Sequence, residues 1–262
     1  MTAPMTASPD AATATTGPAA GSTVDAAEIA RFSAMAAEWW NPNGKFKPLH
    51  RFNPTRVGYL RDRLASHFGR DPLNAPLAGL SLLDVGCGGG LLAEPLTRLG
   101  AAVTGIDASG PGLMAAKLHA EQMGLAIDYR ETTVEDLAAT GARFDVVLNM
   151  EVIEHVADRP AFLEASAAAL KPGGLMVVAT LNRTAKAYAL AIVGAEYVLG
   201  WLPRGTHEWK KFVTPDELRA ELAAAGLTVA DATGVAYNPI SDRWSLSRDC
   251  GVNYMMVATK PG

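Results

Sequence analysis

The chain has 262 residues, a length that suits one α/β domain with additions, and 49% of them are hydrophobic, enough for a sizeable core. A formal net charge of −4 does not advertise the basic face of a nucleic-acid binder, so nucleic acid is not an expected partner. Two cysteines far apart, Cys87 and Cys250, speak against a disulfide framework and suit a reducing cytosol.

Residues 1–24 are Ala, Thr, Pro, Gly and Ser with almost no large apolar side chain. Such a segment cannot bury enough surface to offset its ordering entropy, so a disordered tail is expected, followed by a single domain over residues 25–262. The tail lacks the positive start and apolar core of a secretory signal and the arginines of a mitochondrial presequence, which points to the cytoplasm. Ile29, Phe32, Met35 and Ala36 recur at helical spacing and predict a helix over Val24–Trp40, broken by Asn41-Pro42-Asn43-Gly44. A basic, aromatic loop is expected at Lys45–Arg56, with a helix over Pro54–Phe68.

Strands and helices then alternate. Strands are predicted at Ser81–Gly86, Ala102–Asp107, Ala126–Arg130, Phe144–Met150 and Gly174–Leu181. Helices are predicted at Leu91–Leu99, Pro111–Met123 and Pro160–Leu170, the first two ended by Gly100 and Gly124. This order implies an α/β, doubly wound, Rossmann-like parallel sheet. Thr214-Pro215-Asp216-Glu217 is a strong helix start for Thr214–Ala225, and two strands follow near Thr228–Tyr237 and Gly251–Thr259. Residues 182–212 interrupt the alternation. Within them "AYALAIVGAEYVLGWL" is apolar apart from Glu196, yet shorter than the roughly 20 residues of a membrane span.

The stretch "LLDVGCGGGLLAE" puts four glycines into five positions after the first strand. Ligands of open parallel sheets sit beyond the carboxyl ends of strands, so this is a ligand loop by position as well as composition. A plain tight turn is the competing reading, and each glycine's folding entropy weighs against it. The spacing is G-x-G-x-G from Gly86 through Gly88 to Gly90. The third glycine of a dinucleotide fingerprint is missing, since Leu91 and Ala93 stand where it would fall, and no Gly-Lys-Ser/Thr follows. Asp84, just before the loop, is awkward beside a pyrophosphate but suits an ammonium. Asp107, about 20 residues past Gly86, stands where an acid grips a ribose diol. A ligand with a ribose, an ammonium and no phosphate is S-adenosylmethionine (SAM).

"LLDVGCGGG", "VTGID", "FDVVLNMEVIEHV" and "LKPGG" together resemble the class I SAM-dependent methyltransferases. The flanks "AAEWWNPNGKFKPLHRFNPTRVGYL", "TLNR", "VGAEYVLGWLPRGTHEWKKFVTPDEL", "YNPISDRW" and "VNYMM" narrow this further. With them, nearly the whole chain resembles the ubiquinone-biosynthesis O-methyltransferases. The resemblance implies SAM as cofactor and two acceptors, a 2-polyprenyl-6-hydroxyphenol and 3-demethylubiquinol. Their isoprenoid tails imply peripheral contact with the anionic surface of the inner membrane, and a quinone-biosynthesis complex as a partner. It places SAM contacts at Arg56, Gly86, Asp107 and Met150; Gly88 joins them from the loop itself, and Glu135 in "TVEDL" is a candidate for the adenine region. Arg56 suits a carboxylate as a guanidinium fork.

If a helix starts after Met150, then Glu151, Glu154 and His155 fall at i, i+3 and i+4 on one face. Two carboxylates and an imidazole could bind a divalent cation such as Mg²⁺, and the resemblance implies one there. The alternative is His155 as general base without metal. Lys186, Arg204, Lys210 and Lys211 bracket the apolar insertion, which is expected to be a helical lid that also touches lipid. Two other functions stay open: a methyltransferase of another small molecule, and a non-catalytic SAM-binding scaffold.

Overall fold

The computed structural model describes residues 39–190 and 208–262. The expected tail over 1–24, most of the first predicted helix and residues 191–207 of the insertion lie outside these. The described chain runs α1 (Lys47–His67), β1 (Ser81–Val85), α2 (Ala93–Arg98), β2 (Ala102–Asp107), α3 (Gly110–Gln122), β3 (Asp128–Glu131), α4 (Val134–Ala139) and β4 (Phe144–Met150). It continues through α5 (Arg159–Ala168), β5 (Leu170–Leu181), α6 (Pro215–Ala224), β6 (Thr228–Asn238), β7 (Arg243–Ser247) and β8 (Asn253–Thr259).

Among the described residues eight strands form one sheet in the order β3-β2-β1-β4-β5-β8-β6-β7. The first five are parallel; β8 joins β5 antiparallel, and β6 and β7 continue antiparallel. The doubly wound fold thus stands for β1–β5, while an antiparallel extension completes one edge. Strand order reverses between β1 and β4, so the crevice beyond their carboxyl ends is where a ligand belongs.

The central strands are rich in consecutive apolar residues because helices cover both faces. Alternate residues serve the two cores: Leu82, Val146, Leu148 and Val177 on one side, Leu83, Val147, Met176 and Val178 on the other, all fully buried. Each such side chain contributes about 1.5–3 kcal/mol by leaving water. α6 starts at the predicted N-cap, which the structure completes as a full capping box: Thr214 Oγ1 accepts from the Glu217 N–H, and the Glu217 carboxylate accepts from the Thr214 N–H.

Three expectations change. The loop expected at Lys45–Arg56 is largely helical, because α1 starts at Lys47 with Pro48 in its first turn and Pro54 inside it. Phe46 and Phe52 are buried, and that anchorage outweighs the hydrogen bond Pro54 removes. The predicted strand at Ala126–Arg130 lies at Asp128–Glu131, and α4, unforeseen, follows it with Thr133 accepting from the Asp136 N–H as N-cap. β7 was also unforeseen: it pairs only with β6, and its burial is partial, so it carries no clean apolar alternation. At the insertion, Thr184 caps a single helical turn at Ala185–Ala187, and Trp209–Lys211 form a 3-10 turn on the far side. No helix among the described residues is long and apolar enough to cross a membrane.

Candidate active site

The glycine loop leaves β1 and is tied to the end of β2. Asp107 Oδ2 accepts from the Gly88 N–H and Oδ1 from the Ser109 N–H, both at 2.8 Å. Each oxygen keeps a lone pair for a further donor. Burial raises the Asp107 pKa, and the two N–H groups pull against that rise. Gly86, Gly88 and Gly90 all have positive φ, at 67°, 50° and 82°, so L side chains would be strained there.

The backbone is also approached closely, and by the protein itself. A Cβ on Gly86 would lie 2.6 Å from the Val152 side chain. One on Gly88 or Gly89 would lie 2.7 or 2.5 Å from the Trp39 indole, and one on Gly90 would strike the Tyr129 hydroxyl. The glycines therefore serve packing as well as any ligand.

Behind the loop sits a buried opposite-charge pair. Asp84 is 2% exposed and its pKa is pushed up to about 7 by burial, with Arg56 pulling it down and Asp107 adding to the rise. Arg56 is 4% exposed; burial lowers its pKa, while Glu151 and Asp84 oppose that. Its Nη2 donates to Asn53 Oδ1 at 3.0 Å, and its guanidinium lies 4.8 Å above the Phe52 ring. Its Nε is buried without an acceptor. An orphaned guanidinium donor beside a buried carboxylate fits a zwitterionic amino-acid group, which offers a carboxylate to one and an ammonium to the other. Met150 is buried at the end of β4, in the same crevice, and Glu135 lies in the first turn of α4 beyond β3.

The expected helix after Met150 does not form. Glu151 takes a left-handed φ of 60°, and only a 3-10 turn, Ile153–His155, follows. The i, i+3, i+4 face for Glu151, Glu154 and His155 is therefore absent. Glu151 Oε1 accepts from Asn253 Nδ2 at 3.1 Å, and Glu154 Oε2 from Thr180 Oγ1 at 2.8 Å. Burial first, then the Glu151 charge, pushes the Glu154 pKa well above the carboxylate range. Among the described residues no three His, Cys, Asp or Glu side chains gather as a metal set. The donors expected to hold Mg²⁺ are thus two neighbouring carboxyls engaged by Asn253 and Thr180, with the half-buried His155 beside Glu154 on the same 3-10 turn. This arrangement does not fit a three-ligand divalent site.

Cys87 is buried and free, and burial raises its pKa, as suits a small packing residue. Sequence reasoning missed Trp39, Val152 and Tyr129 around the loop, and Thr180 and Asn253 beside the glutamates. All but Tyr129 lie in stretches already singled out by the resemblance: Trp39 in "AAEWWNPNGKFKPLHRFNPTRVGYL", Val152 in "FDVVLNMEVIEHV", Thr180 in "TLNR" and Asn253 in "VNYMM".

Residues 46–232 match a family model described as a methyltransferase domain. A ubiquinone biosynthesis O-methyltransferase of Chelativorans sp. is 62% identical over 91% of this chain and 95% of its own length. One from Parvibaculum lavamentivorans is 63% identical over 92% and 96%. Among solved structures, the magnesium protoporphyrin IX methyltransferase of Synechocystis with bound SAH shares 18% identity at a TM-score of 0.55, covering 87% of this chain and 99% of that one. A possible histamine N-methyltransferase from Thermotoga maritima, at 18% identity, reaches 0.57 over 89% and 99%, so fold outlasts sequence here. A relative more than 60% identical along almost its entire length, on this sheet and around this glycine loop, places the chain in the ubiquinone biosynthesis O-methyltransferase family of SAM-dependent methyltransferases.

Proposed function

We propose that the chain transfers a methyl group from SAM to phenolic hydroxyls of polyprenylated ubiquinone precursors. The observation that carries this is the identity above 60% with curated enzymes of that name over more than nine-tenths of the chain. Asp107 holds the ribose diol, Arg56 the methionyl carboxylate and Asp84 its ammonium. Gly86 and Gly88 let the loop backbone approach, Met150 lines the methionyl slot, and Glu135 reaches toward the adenine. Bound SAM supplies an electrophilic methyl on a sulfonium: the acceptor oxygen bonds to that carbon while the C–S electron pair stays on sulfur, leaving a neutral thioether. The phenol proton passes to His155, which acts as general base. Holding acceptor and donor in line is a large share of the rate, since orientation alone is worth about 7–11 kcal/mol.

The test is methyl transfer from labelled SAM to a short-chain 3-demethylubiquinol analogue, with and without EDTA. Transfer that survives EDTA is expected. Loss with EDTA and recovery with Mg²⁺ would return Glu151, Glu154 and His155 to a metal set. No transfer from a chain that binds SAM would send the search to another acceptor.

The acceptor's prenyl tail calls for a lipid surface, and the insertion is the segment suited to meet it. Tyr188, Leu190 and Trp209, within its described ends, are exposed large apolar side chains, with Lys186, Lys210 and Lys211 close in sequence. Purified protein is expected to sediment with anionic vesicles, and deletion of residues 186–202 to abolish this. Equal sedimentation of the two forms would sink the membrane role.

A further inference from the structure

Trp39 lies against the glycine loop, and no site role has been given to it, although the flank "AAEWWNPNGKFKPLHRFNPTRVGYL" contains it. Its indole covers Gly88 and Gly89, with the loop on one face and the Phe46 ring stacked on it at 3.9 Å and 10°. Its carbonyl oxygen is 2.8 Å from His50 Nε2 on α1. The next residue fastens the segment elsewhere: Trp40 stacks on His119 of α3 at 3.5 Å and 7°, and His119 Nδ1 lies 2.6 Å from Glu94 Oε1, whose side chain is fully buried. Two adjacent tryptophans thus clamp the start of the described chain across the loop and onto α3.

Two indole nitrogens in this arrangement are unfinished, those of Trp39 and Trp40, and the first belongs to the ring over the loop. Trp39 Nε1 is buried and has no acceptor. A buried indole N–H usually finds a partner, and leaving one unsatisfied is costly. The loop beneath it is where the amino-acid end of the cofactor is proposed to sit, and that end carries carboxylate oxygens. Aromatic cover over the loop would also exclude water from the charged groups below, which strengthens their hold on a ligand.

We infer that Trp39 is a cofactor-binding residue that closes the glycine loop over SAM, with Trp40 stacked on His119 as its anchor. The inference rests on the loop being the SAM site and adds a residue to it. Nothing in the glycine motif announces it, because the tryptophan arrives from nearly 50 residues upstream.

The test is SAH affinity by calorimetry in Trp39→Ala, Trp39→Phe and Asp107→Ala, each checked for folding by circular dichroism. Trp39→Ala is expected to weaken SAH binding at least tenfold. Trp39→Phe should fall between it and wild type, keeping the stack on Phe46 but losing the N–H. Unchanged or tighter binding in Trp39→Ala would overturn the inference, the latter by making the indole an obstruction. If Asp107→Ala also retains wild-type affinity, it is the loop assignment that fails; if Asp107→Ala alone loses binding, only Trp39's role falls. Should Trp39→Ala not fold, wild-type chain labelled with 5-fluorotryptophan gives the answer. SAH is expected to shift the Trp39 fluorine resonance, identified by its loss in Trp39→Phe, and a resonance that stays put overturns the inference.

Discussion

Replacing His155 by Ala lowers the methyl-transfer rate by about 10²–10⁴-fold, the range by which a positioned base speeds a proton transfer, while SAH affinity stays within about twofold of wild type. The split follows from position. His155 sits past the end of β4, on the 3-10 turn that replaces the expected helix, and the groups assigned to the cofactor lie on the loop, on β1, on β2 and on α1. The neighbouring carboxyls are poorer bases for this proton. Glu154 is buried and takes a hydrogen bond from Thr180, so it is closed off from an acceptor, and burial, then the Glu151 charge, raises its pKa. Glu151 is committed to Asn253 and is held at a left-handed φ, a strained setting that fixes its direction. Rates measured with labelled SAM on two acceptors of different phenol acidity check the role. The loss in His155→Ala should shrink for the more acidic phenol, which needs less help to ionise. A loss of equal size on both, or a large fall in SAH affinity, would move His155 from base to scaffold.

The parallel half of the fold was readable because its signals are local and redundant. Short aliphatic runs within β1 and β4, glycines after α2 and α3, and Asp84 and Asp107 at fixed distances from the loop all point one way. The site's interior was less readable because tertiary packing decides it. The spacing of Glu151, Glu154 and His155 is helical, yet the backbone breaks at Glu151, and no helix propensity in "MEVIEHV" reveals that. The start of α1 turned on which of Pro48 and Pro54 opens the helix, and burial of Phe46 and Phe52 settled it in favour of the first. The glycine loop was read as a ligand loop, and the side chains that also press on it, Val152, Trp39 and Tyr129, are partners that only the folded chain brings near.

Cofactor affinity should depend on pH through Asp84. Its folded pKa of about 7 lies far above the ordinary value near 3.9. Because burial raises it, the protonated form stabilises the free chain below about pH 4, and that contribution is lost as pH rises through about 7. Binding an ammonium asks for the opposite form. SAH must therefore displace a proton from Asp84 at pH 5–6 but not at pH 8. Affinity is expected to rise by close to tenfold per unit from about pH 5 to about 7 and then level off, with proton release visible in calorimetry as a buffer-dependent enthalpy. Asp107 and Glu154 are also shifted upward by burial, while Asp145, Glu217 and Asp249 are shifted downward by their hydrogen-bond partners, so the free chain's stability trend does not report Asp84 alone. Asp84→Asn isolates the one that matters for binding. It removes the ammonium's partner, and its SAH affinity should stay low and nearly flat over the same range, about 100-fold below wild type at pH 8, as two tenfold steps imply. A wild-type affinity that does not change between pH 5 and 8 would mean that the ammonium is held elsewhere. Asp84 would then be a neutral hydrogen-bonding acid behind the loop, with Arg56's charge balanced by Glu151 instead.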